Sequence, residues 1–125
     1  MKYMMMIYLD EKSLSDSERE HCYKESAEYA HQINSNGQYL LAAPLYPTST
    51  ATSVRTREGK RLVTDGPFAE TREQLGGFFL VDAKDLDEAI RIASQIPAGR
   101  WGTVEIRPVM EIPGLLENQA APSIV

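Results

Sequence analysis

Lys2-Tyr3-Met4-Met5-Met6-Ile7-Tyr8-Leu9 decides the fold. In an extended chain, Tyr3, Met5, Ile7 and Leu9 point to one side and Met4, Met6 and Tyr8 to the other, and both sets are apolar. A strand of that kind is covered on both faces. The run stops at Asp10-Glu11-Lys12, far short of the ~20 apolar residues of a membrane span. It is also too short for a signal peptide and lacks a small-residue cleavage site, so a strand is the better reading. Gly77-Phe78-Phe79-Leu80-Val81-Asp82-Ala83 repeats the two-sided pattern later in the chain.

The segments between these strands follow local rules. Ser15 with Glu18 forms a capping-box pattern, and Cys22, Ser26, Tyr29, Ala30 and Ile33 then recur at helical spacing until Asn36-Gly37. Residues 38–45 read as a strand stopped by Pro44 and Pro47. Residues 51–57 and 61–64 read as a hairpin turning at Glu58-Gly59-Lys60. Asp85 and Glu88 cap a second helix with the stripe Leu86, Ala89, Ile90, Ala93 and Ile96, which Pro97 ends. Residues 103–112 form the last strand, and residues 114–125 read as a mobile tail after a domain of residues 1–113.

The order is β-α-β, a hairpin insertion, then β-α-β. Two right-handed halves of this kind predict an α+β, ferredoxin-like βαββαβ sheet with both helices on one face. The other face is apolar too, and a second copy of the sheet is the economical cover. The expectation is therefore a homodimer with a barrel-like interior.

Composition narrows the function classes. A net charge of −5 over 125 residues argues against a nucleic-acid binder, which needs a basic face. The single cysteine, Cys22, excludes an internal disulfide and suits a reducing, cytoplasmic setting. Phosphate-binding, redox, nucleophile-elbow and metalloprotease motifs are missing, and His21 and His31 lie nearly three helical turns apart, too far for one metal. No metal or organic cofactor is implied.

The densest polar stretch is residues 63–79. It carries Asp65, Glu70, Arg72 and Glu73 between two strands, and a connector that long is commonly functional. Pro67 fixes the backbone and Phe68 is expected to anchor the loop in the core, which would hold Asp65 in place. Asp65 then serves either as an acid–base carboxylate or as an Asx-type cap of its own turn. On the last strand, Val104 and Ile106 alternate with Glu105 and Arg107. Arg107 is either a fork for a planar anion in the subunit interior or half of a solvated ion pair with Glu105.

Thr64-Asp65-Gly66-Pro67-Phe68-Ala69-Glu70-Thr71-Arg72-Glu73-Gln74-Leu75-Gly76-Gly77-Phe78 resembles the signature of DGPF-domain proteins, a branch of the YCII-related family. Arg72 stands where lysine is usual. The resemblance implies a dimeric α/β barrel. Shorter relatives carry a histidine on the first helix and an aspartate near the end of the second. The matching positions here are Ser26 and Ile96, so that pair does not carry over. Family members are also often encoded beside extracytoplasmic-function sigma factors. Two functions follow as expectations. One is a small-molecule-binding homodimer, with Asp65 as acid–base group and Arg107, Glu70, Glu73 and Glu105 around the ligand, its status as an enzyme left open. The alternative is a non-catalytic accessory protein that associates with such a sigma factor.

Overall fold

A computed structural model describes residues 1–116. The chain runs β1 (Lys2–Leu9), α1 (Asp16–Ser35), β2 (Tyr39–Pro44), β3 (Thr52–Arg57), β4 (Lys60–Asp65), β5 (Gln74–Asp82), α2 (Leu86–Ser94) and β6 (Gly102–Pro108). Four strands form one antiparallel sheet in the order β2-β5-β1-β6, and β3-β4 forms a two-stranded sheet of its own. The two strands with apolar residues on both sides, β1 and β5, take the two central positions, as two βαβ halves require.

Both helices lie on the Met5 side of the sheet. Met5 and Val81 are fully buried there, packed with Tyr29 and Ile33 of α1 and Ala89 and Ile92 of α2. Burying each such side chain stabilises the fold by roughly 1.5–3 kcal/mol. The Tyr29 hydroxyl donates to the Ile92 carbonyl across 2.7 Å and ties the helices together. The expected capping box is formed, with the Glu18 N–H on Ser15 Oγ at 3.2 Å and the Ser15 N–H on Glu18 Oε1 at 2.8 Å. Gly37 takes φ +75° just beyond the end of α1.

Several sequence expectations shift. In α2, Leu86 and Ile90 are exposed, and Ile92 turns inward beside Ala89 and Ala93. Ala89, Ala93 and Ile96 of the expected stripe are buried, and the two alanines let the helix lie close to the sheet. β5 begins at Gln74 rather than Gly77, because a bulge at Gly76 lets pairing continue past Gly77: Ile7 faces Gly77 and Tyr8 faces Leu75. β6 ends at Pro108, not at residue 112. From residue 117 on, the expected tail lies outside the described residues.

The opposite sheet face is uncovered. Met4, Met6, Tyr8 and Phe78 are only half-buried there. Arg107 sits across from Met4 and Glu105 from Met6, on that same open face, while Ile106 and Val104 turn toward the helices. No helix among the described residues is long and apolar enough to cross a membrane.

Candidate functional site

Small residues where α1 crosses β2 and β5 shape the interior of this fold. Ser26, Ala27 and Ala30 on the helix face Ala42 and the Gly76-Gly77 pair on the sheet. Side chains that short cannot fill the gap between the layers, and a cavity of about 630 Å³ remains. Gly77 is required for the same geometry: a Cβ there would stand 2.9 Å from the Ala43 carbonyl oxygen. Leu9 and Phe79 form the apolar floor, and Leu45 and Pro47 stand at the end where β2 leaves the sheet.

Polar groups on the lining are few, and most have partners. Glu11 is held by Thr48, whose N–H and hydroxyl donate to its two carboxylate oxygens at 2.9 and 2.7 Å. That clasp joins the segment before α1 to the segment before β3. Arg19 donates from Nη2 to the Glu11 carbonyl at 2.9 Å and from Nη1 to exposed Asp16 at 3.4 Å, leaving further N–H donors free. Cys22 is buried against the cavity; burial pushes its thiol up, and a hydrogen bond with Ser26 opposes that shift. Tyr23 and His31 complete the polar lining. The cavity thus offers an apolar body with hydrogen-bond donors at its edge, and its one carboxylate is already engaged.

The residues expected to form the site lie elsewhere and do not meet. Arg107 and Glu105 pair at 3.6 Å on the open sheet face. Glu73 is near that region, accepting from the Thr103 hydroxyl at 3.0 Å. Asp65 is exposed at the end of β4, and Glu70 is exposed in the following loop. Phe68 does not anchor that loop in the core: it is 78% exposed, with the Arg55 guanidinium 5.3 Å from its ring centre. The reason is that β3 and β4 form a separate ribbon, so the loop after Asp65 has no core beneath it. Ser26, the position where the resemblance implies a histidine in shorter relatives, lines the cavity; Ile96 is buried in the core. No motif marks the cavity. Its one sequence signal is the set of small residues facing each other across the layers. Among the described residues, no group of three or more His, Cys, Asp or Glu could hold a metal ion.

The fold and cavity define a two-layer α+β protein with an apolar pocket open to solvent beneath α1, and comparison with known proteins gives its family. A family model of the YCII-related domain matches residues 1–113. An uncharacterized protein of Rhizobium meliloti (strain 1021) is 35% identical over 114 residues, covering 87% of this chain and 92% of the relative. The chain belongs to the YCII-related family. Among solved structures it is similar to the 5-chloro-2-hydroxyhydroquinone dehydrochlorinase of Burkholderia phenoliruptrix AC1100, in complex with 2,5-dihydroxybenzoquinone. The TM-score is 0.55 at 14% identity, covering 88% of this chain and 94% of that one, which bears on the fold alone.

Proposed function

We propose that this protein is a homodimer that binds a small, ring-sized and mostly apolar molecule in the cavity beneath α1. The ligand's acidic or acceptor group lies at the Arg19 edge. The observation that carries the reading is the cavity of about 630 Å³, a size typical of small-molecule sites. The donor-rich edge supports a ligand with an acceptor or anionic end, since Arg19 retains donors and Glu11 is tied to Thr48. The structural neighbour, whose fold holds a hydroxylated quinone, supports the size class. The half-buried Met4, Met6, Tyr8 and Phe78 on the open sheet face support the dimer.

The test is a thermal-shift and calorimetry screen of hydroxylated aromatic acids against the wild type and Ala27→Trp, which fills the cavity from α1. A ligand bound only by the native state at a hundredfold excess over Kd adds about 2.7 kcal/mol. We expect stabilisation in the wild type and its loss in Ala27→Trp. No stabilisation across the panel, or equal stabilisation of both proteins, defeats the reading.

A second reading places the ligand between two copies, with Asp65 as acid–base group, Arg107 as anion holder and Glu70, Glu73 and Glu105 as polar supports. The position of Arg107 and Glu105 on the open sheet face favours it, because a second copy would enclose them. Binding that survives Ala27→Trp but fails in Asp65→Ala or Arg107→Gln selects this reading. Association with a sigma factor rests on the family resemblance alone.

A further inference from the structure

The β3-β4 hairpin is the least explained part of the molecule. Its six pairs run from Thr52–Asp65 to Arg57–Lys60, and Glu58 and Gly59 turn it with φ of +52° and +77°, the left-handed pair of a type I′ turn. Opposed residues share a face, so Val54 and Val63 form one apolar pair, 64% and 55% exposed. On the other face Leu62 lies opposite Arg55, which in turn stacks on Phe68. Both faces of the ribbon are therefore bare and partly apolar. A two-stranded ribbon without a third layer is marginally stable in water.

Charge indicates what covers it. Residues 52–65 carry Arg55, Arg57, Lys60 and Arg61 against Glu58 and Asp65. The ribbon is thus net +2 within a chain of net −5, leaving −7 on the remainder. The remainder of a second copy carries the opposite net charge to this basic ribbon. The root of the ribbon is held to the body beside the cavity rim, where the Leu45 N–H bonds the Gly76 carbonyl at 2.8 Å and Glu11 holds Thr48.

We propose that the β3-β4 hairpin is a dimerisation arm that packs its Val54–Val63 face and basic tip on the second copy of this chain. The inference rests on the dimeric reading above and goes beyond it, because face-to-face sheets alone need no arm. The arm adds apolar area to the contact and gives the association a salt dependence that sheet packing lacks.

Sedimentation equilibrium of the full-length protein tests it at low and high salt. Three proteins are compared: wild type, Val54→Asp/Val63→Asp, and the tip variant Arg57→Glu/Lys60→Glu/Arg61→Glu. All substituted positions are exposed, and circular dichroism checks that the body remains folded. The expected result is a wild-type dimer whose dissociation constant rises about tenfold or more in the valine variant. In the tip variant the constant rises and loses most of its salt dependence. Unchanged dissociation constants in both variants overturn the arm while leaving the dimer standing. A wild type that sediments as a monomer overturns both. An intact dimer in which the tip variant loses only retention on an anionic polymer assigns the surface to a polyanion and overturns the proposal.

Discussion

β5 and the β3-β4 hairpin are both regular antiparallel structure, yet one is enclosed on the helix side and the other bare on both sides. In β5, Phe79, Leu80 and Val81 are buried in succession, and the strand is flanked by β2 and β1. In the hairpin no residue is buried, though its register is free of shifts. The hydrogen-bond ladder is therefore a poor guide to how firmly a strand is held. Each ladder bond adds a net of only about 0.5–1.5 kcal/mol, because the unfolded chain bonds to water instead. The apolar area behind the strand sets the difference.

Substitution on the two sides of that contrast gives the largest expected effect. Met5→Ala, beneath both helices, should cost about 3 kcal/mol in chemical denaturation, from lost transfer energy and the void left behind. Val63→Ala in the hairpin, measured under dilute conditions, should cost less than about 0.5 kcal/mol. Comparable losses would erase the distinction.

The Glu11–Thr48 clasp is a sharper probe, because it joins the body to the root of the hairpin. Glu11→Ala leaves the Thr48 donors without their carboxylate and should cost about 1–2 kcal/mol. Amide exchange should quicken at Thr48 and through β3-β4 while β5 stays protected. Uniform acceleration in both regions would mean that the hairpin is coupled to the core after all.

The smallest effect concerns the outer face of α1, which is neither bare ribbon nor core. Glu25 accepts a hydrogen bond from Arg100, and that contact, aided by the Arg100 and His21 charges, holds its carboxyl below the usual value. A carboxyl depressed on folding contributes stability above its unfolded pKa, about 4.3, and loses it as pH falls through the folded value. Glu25→Gln should therefore lower stability slightly at neutral pH, flatten the acid limb of a stability–pH curve, and meet the wild type at low pH, where the wild-type contribution is already lost. A variant that follows the wild-type acid limb point for point would show that the pair contributes nothing.

The sequence made the elements legible wherever the signal was local. Ser15 and Glu18, Asp85, Gly37 and the Glu58-Gly59 turn each act within a few residues of themselves, and all behave as expected. The two-sided apolar pattern of residues 2–9 marked a strand for the same reason, and the structure puts that strand in a central position. What failed depended on neighbours far along the chain. Phe68 looked like an anchor, but the ribbon lifts it away from any core. In α2, Ala89, Ala93 and Ile96 are buried as the helical period implied, but the direction in which the sheet lies puts Ile92 inside and leaves Leu86 and Ile90 out. The cavity was hidden because it is defined by volume that Ala27, Ala30, Ala42 and Gly77 do not occupy, and motif reading finds side chains rather than gaps.

The single hydrogen bond from Leu45 to Gly76 also bears on how the chain reaches its native state. Roughly 30 residues separate these partners, and closing a flexible loop costs entropy that grows with the logarithm of its length, about 0.6 kcal/mol per doubling. A hairpin with a two-residue turn forms in about 1–10 μs. Once formed, it brings Ala51 and Gly66 together, bonded at 2.7 Å, and shortens the effective loop to the few residues on either side. The ribbon then acts as a splint: it makes the search that joins β2 to β5 a short one.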